Sequence, residues 1–185
     1  MLQYFYPKRN YPYPTTISQK PKEIDKSSMA KWEGKASTTL TKASDNQIWS
    51  LFSDFFNNHK WFPNMSTSYG VHGDNGKVGC IRYCGGFSIE GNAGQVNWAK
   101  EWLLAIDPDQ MFLSYEIVES SLPLTSYISM VKVVNVGGQG CVVEWSFSVD
   151  PVEGLTCEYL VERYQDILDR MTMKMEVDVV EKNGD

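Results

Sequence analysis

The strongest constraint on the fold is the contrast between the two halves of the chain. After Pro151, Leu160, Tyr164, Ile167, Leu168, Met171 and Met175 recur at i, i+4, i+7, i+8, i+11 and i+15. That is one continuous apolar stripe along a single long helix. Residues 66 to 149 read instead as successive strands broken by HGDNGK, GGFSIEGNAG, DPDQ and GGQG, each carrying the Gly, Asn, Asp or Pro that turns require. VGCIRYC, QVNWAKEWLLAI, MFLSYEIVE, SYISMVKVVNV and CVVEWSFSVD lie between them, and strands this close in sequence pair as an antiparallel meander. A helix with such a stripe must bury it, and the concave face of a curved sheet is the available surface. The expected class is therefore α+β, a helix-grip fold: a curved antiparallel sheet wrapped around a long C-terminal helix, with an apolar cavity wherever the helix leaves the sheet uncovered.

The 185 residues suit one such domain. It is expected over 31–178, after a leader (1–30) and before a short tail (179–185). The leader interleaves Pro7, Pro12, Pro14 and Pro21 with Tyr4, Tyr6, Tyr11 and Tyr13, a proline density that prevents helix and sheet alike. The domain opens with KWEGKASTTLT, an alternating strand. Ser44 and Gln47 then have capping-box spacing, and Ile48, Trp49, Phe52, Phe55 and Phe56 follow at helical intervals, with an end near NNHKW and Pro63 marking a break or a second short helix.

Charge and cysteine usage exclude several functions. Residues 1–30 hold five Lys/Arg against two acids, which leaves 12 against 21 in the rest of a chain of net charge −6. An acidic body does not suit phosphate backbones, so nucleic acid is not the expected partner. No apolar run reaches the roughly 18–20 residues that cross a bilayer, and the first residues lack a signal-type apolar core, so a cytoplasmic protein is expected. Cys80 and Cys84 would lie roughly 13 Å apart on a strand, too far for a disulfide. No CxxC exists, and His59 and His72 have no ligand-like spacing to cysteine, so neither a metal nor another cofactor is expected. The pairs Gly85-Gly86 and Gly137-Gly138 read as sheet turns, not phosphate loops, since neither leads into a helix.

Strand parity sorts the residues that can face a cavity. Arg82 shares a face with Val78, Cys80 and Cys84. Tyr127 goes with Ser129, Val131 and Val133. Tyr115 goes with Met111, Leu113 and Ile117, and Trp145 with Cys141, Val143 and Phe147. In WAKEWLL, Glu101 shares a face with Ala99, Leu103 and Ala105, opposite Trp98, Lys100 and Trp102. If that face is the inner one, Glu101 is a carboxylate in an apolar interior and needs a partner, and Arg82 is the inward-facing cation. If Trp98 and Trp102 are core, Glu101 is in water. Parity leaves both open.

KWEGK, DFFNNHKWFPN, VGCIRY, WAKEWLLAID, SYISMVKVV and EWSF, in this order and spacing, resemble the plant lachrymatory-factor synthase-like family of the START/Bet v 1-like superfamily. The resemblance spans roughly Lys31 to Met175 and implies the same helix-grip fold with an internal cavity. The family's onion member rearranges an unsaturated sulfenic acid to a thial S-oxide. By this resemblance Glu101 moves a proton as base and then acid, Arg82 holds the substrate oxygen and keeps the carboxylate ionised, and Tyr127 donates a further hydrogen bond. The pocket would be lined by Tyr115, Trp145, Leu103, Cys84, Phe87, Ser129, Val131, Tyr164, Leu168 and Met171. The segment from Arg82 to Glu101 is longer than in the onion member, and Met171 stands where that member has tryptophan, so a different small substrate is expected. The implied function is cofactor-independent isomerisation or cyclisation of a small hydrophobic or amphipathic plant metabolite by a monomer or weak dimer. The alternative is a non-catalytic carrier or receptor for a hydrophobic metabolite, hormone or lipid.

Overall fold

The structure is a computed structural model and describes residues 30–87 and 96–183. The leader (1–29) and the segment 88–95 lie outside the described residues, as does the Phe87 side chain. The chain runs β1 (Trp32–Leu40), α1 (Asp45–Ser53), a 3-10 helix (Phe55–Lys60), β2 (Thr67–His72), β3 (Ile81–Phe87), β4 (Asn97–Asp107), β5 (Phe112–Ser120), β6 (Ile128–Asn135), β7 (Cys141–Val149) and α2 (Cys157–Asn183). One antiparallel sheet has the order β1-β7-β6-β5-β4-β3-β2, with α2 across it, which is the helix-grip fold.

Local chemistry explains the elements. At the head of α1 the Ser44 hydroxyl accepts from the Gln47 backbone N–H, and the Ser44 N–H donates to the Gln47 side chain. The apolar spacing continues past Ser53, but the helix stops there. Asp54 leaves helical geometry and donation to its backbone carbonyl from the Asn57 N–H starts the 3-10 turn. Phe55 thereby becomes fully buried. On β1 the inner face carries small residues, Gly34 and Ala36. A Cβ on Gly34 would sit 2.5 Å from the Phe147 ring and 2.6 Å from Val161 of α2, so glycine permits the helix to close on the strand.

Four boundaries depart from the sequence reading. Val78 lies in a turn, 61 % exposed, because β3 begins only at Ile81. Gly85-Gly86 is not a turn: β3 runs through it to Phe87 with a bulge, and Gly86 takes φ +88° against Ser66. A second bulge between Leu103 and Ala105 reverses parity, so Ile106, opposite Leu113, takes the inner position assigned to Ala105. The helix continues past 178 to Asn183, because Val179 extends the apolar stripe one turn beyond Met175 and is itself buried.

The stripe on α2 seals the core. Leu168 and Met175 are fully buried among Ile48, Phe55, Leu103, Val143 and Val149. Leu168→Ala is expected to destabilise the fold by about 2–5 kcal/mol, read as a lower urea midpoint at unchanged slope.

Candidate functional site

Arg82 and Glu101 stand directly opposite each other on β3 and β4. Arg82 Nε donates to Glu101 Oε2 at 2.6 Å, and Arg82 Nη1 donates to the Phe55 carbonyl at 2.8 Å. The guanidinium also lies 3.8 Å over the Phe55 ring and 5.1 Å from the Tyr115 ring centre. Burial opposes its charge, but Glu101 first, then Cys84 and Tyr115, hold the arginine above its ordinary pKa. The carboxylate therefore faces the interior, not water. Trp98 and Trp102 are on the outer face, where Trp98 stacks on Tyr83 and Trp102 is 40 % exposed. Lys100, also outward, pairs with Glu119.

Glu101 reaches a cavity of about 220 Å³ between the sheet and the first half of α2. Its Oε2 is taken up by Arg82, with the Cys84 thiol 3.7 Å away. Oε1 accepts no hydrogen bond from the described residues, and Glu101 is part of the cavity wall. Burial, then Glu101, push the Cys84 thiol up to about 12, so it remains a protonated donor and not a nucleophile.

Tyr127 and Tyr164 face each other across the cavity with hydroxyls in mutual hydrogen bond. Burial, then a neighbouring phenol, hold Tyr115, Tyr127 and Tyr164 well above the usual tyrosine value. The mutual bond uses one of two phenolic hydrogens and leaves the other to donate elsewhere. Trp145 is fixed by its indole N–H donating to Ser129 Oγ at 2.7 Å, while that hydroxyl donates to the Ser146 carbonyl.

Glu101, Tyr115, Tyr127, Trp145 and Tyr164 thus line one cavity. Arg82, Val131 and Met171 do not reach it. They border a void of about 20 Å³ behind, which shares Asn58, Phe62, Tyr115 and Trp145 with the main cavity. Arg82, expected to hold a substrate oxygen, gives two of its five N–H groups to Glu101 and the Phe55 carbonyl. Leu103, Cys84, Ser129 and Leu168, also expected in the lining, are buried and do not line it. Phe87 lies outside what can be described.

Sequence reasoning missed the mouth. Leu122-Pro123-Leu124, between β5 and β6, and Leu155 and Tyr159 form part of it. So does Arg163, a cation inside the apolar stripe three residues after Leu160. That interruption was visible in the sequence.

A family profile described as "Polyketide cyclase / dehydrase and lipid transport" matches residues 31–176. The chain belongs to that family. Among solved structures, ginseng major latex-like protein 151 from Panax ginseng is 25 % identical, with TM-score 0.60 over 80 % of this chain and 97 % of that one. The protein XoxI from Bacillus cereus (20 % identity, TM-score 0.62, 84 % and 99 % covered) and a Thermobifida fusca protein (21 %, 0.63, 78 % and 90 %) share the fold. Family membership makes this a ligand-cavity protein. No described helix is long and apolar enough to cross a membrane.

Two outcomes are expected from the geometry. Arg82→Met leaves Glu101 buried and unpaired, so it should lose about 3–5 kcal/mol by urea unfolding, and adding Glu101→Leu should restore most of that. Iodoacetamide at about pH 8 should leave Cys84 unmodified in the native protein while labelling the partly exposed Cys157, as read by peptide mass spectrometry.

Proposed function

We propose that the cavity performs cofactor-independent acid–base isomerisation or cyclisation of a small, largely apolar metabolite. The observation that carries this reading is Glu101 in the wall of an apolar chamber, with Oε2 locked on Arg82 and Oε1 without a donor among the described residues. A carboxylate held in one orientation can remove a proton from a bound substrate and return it at another atom, so the reaction is a net rearrangement. The hydroxyl pair of Tyr127 and Tyr164 supplies a hydrogen-bond donor to the oxygen or sulfur on which negative charge develops. Arg82 acts as a positioning residue: it fixes the rotamer of Glu101 and balances its charge without touching the substrate. The resemblance to the lachrymatory-factor synthase-like family supports the same roles for Glu101 and Tyr127, in a cytoplasmic protein of plant specialised metabolism.

A carrier or receptor is the second reading, and it is favoured by the lipid-transport half of the family description. Glu101 separates the two. A carrier of apolar ligands has no use for an ionised group with an unpaired oxygen in its cavity, whereas proton transfer requires one.

Small molecules retained from a plant extract, identified by mass spectrometry after native purification, supply the substrate. Glu101→Gln should then lower turnover by about 10²–10⁴-fold with the melting temperature and ligand binding little changed. Full turnover in that variant removes proton transfer by Glu101 and leaves the carrier.

A further inference from the structure

Three arginines stand in or behind the cavity wall, and two are committed. Arg82 donates to Glu101 and to the Phe55 carbonyl. Arg170 pairs with Asp166 one turn before it. Arg163 lines the cavity on the same face of α2 as Leu160 and Ile167, and it is half-buried. It makes no ion pair or hydrogen bond among the described residues, although Glu162 and Asp166 are close in sequence. Among the described residues, the other two arginines, Arg82 and Arg170, pair with acids, and Arg163, beside an apolar chamber, does not.

We propose that Arg163 anchors an anionic group of the ligand, so that the cavity takes small amphipathic carboxylates with the apolar body inward and the anion at the mouth. This rests on the reading of the cavity as the ligand site and sharpens it to a substrate class. Three observations converge on it. The planar fork of a guanidinium matches a carboxylate with two parallel hydrogen bonds, and here none of its donors is taken by a described residue. Glu101 in the same cavity repels an anion, so the carboxylate cannot turn inward and only one orientation survives. The volume, about 220 Å³, is below the roughly 300–1,000 Å³ of drug-sized sites, which suits a compact acid and not a long-chain lipid. In this orientation the end remote from the carboxylate meets Glu101 Oε1 and the Tyr127–Tyr164 hydroxyls. Proton transfer therefore falls on atoms away from the acid group.

The test compares trans-cinnamate with trans-cinnamamide, a pair alike in shape and different in charge, by calorimetric or NMR titration. Wild type, Arg163→Met, Arg163→Lys and the cavity-filling Leu160→Trp are titrated with both. Wild type should prefer the carboxylate, and Arg163→Met should weaken it by about tenfold or more while leaving the amide unaffected. Arg163→Lys should recover part of the loss, and cinnamate binding should weaken with salt more steeply in wild type than in Arg163→Met. If Arg163→Met leaves cinnamate unchanged, or weakens both compounds equally, the anchor is wrong and the cavity reading stands. If wild type binds neither compound, or Leu160→Trp leaves binding of both intact, the cavity reading itself falls and takes the anchor with it.

Discussion

The attachment of α2 to the edge of β1 sets the rest of the architecture. The Ser37 N–H donates to the Gln165 side-chain carbonyl, whose amide donates back to the Ser37 carbonyl, so Gln165 completes the strand edge as a neighbouring strand would. Thr38 donates to Asp169, and Glu176 accepts from the backbone N–H groups of Thr41 and Lys42. A helix of 27 residues is about 40 Å long but only about 10 Å wide, against a sheet whose seven strands span roughly 29 Å. Pinned to β1, it cannot also cover β3 to β5, where Phe52, Phe55 and Phe62 of the α1 region take over. The cavity is the space that these two coverings leave between them.

The electrostatics follow from register. Arg82 and Glu101 are cross-strand partners, so neither side chain has to stretch to make the pair, and the backbone carbonyl of Phe55 takes a second donor. The 3-10 turn that interrupts the first helix is what brings that carbonyl there. A lone carboxylate in this chamber would be too costly to ionise, and a fully paired one would be inert. One oxygen held by Arg82 and one without a donor among the described residues is the intermediate case.

Much of this was legible beforehand, for identifiable reasons. Alternation placed Arg82, Tyr115 and Trp145 on inner faces because β3, β5 and β7 keep a strict period over those residues, and Tyr127 keeps the same parity one residue before β6. It failed at Ala105 because a bulge inserts a residue, and composition gives no signal for that bulge. It could not choose the side for Glu101, since tryptophan suits a core and also an outer face. The stacking of Tyr69, Tyr83 and Trp98, with ring centres 5.2 and 6.0 Å apart, keeps the indole outside. Parity also cannot give depth: Leu103, Cys84 and Ser129 are buried on the inner side yet do not line the cavity. The mouth escaped because it is built from loops and from one arginine within an apolar stripe, where periodicity is silent or broken.

The two sheet edges differ in a way that bears on self-association. At β1 the Ser37 backbone is paired by Gln165 and the Glu33 carbonyl by Cys157, both of α2, and at the other margin β2 is only six residues long and interrupted by a bulge between Gly70 and His72. Neither offers the long, flat row of unpaired amides that templates strand addition between molecules. Cross-β stacking is thereby discouraged at both ends, a safeguard that a chain dominated by strands needs while it is crowded and newly made.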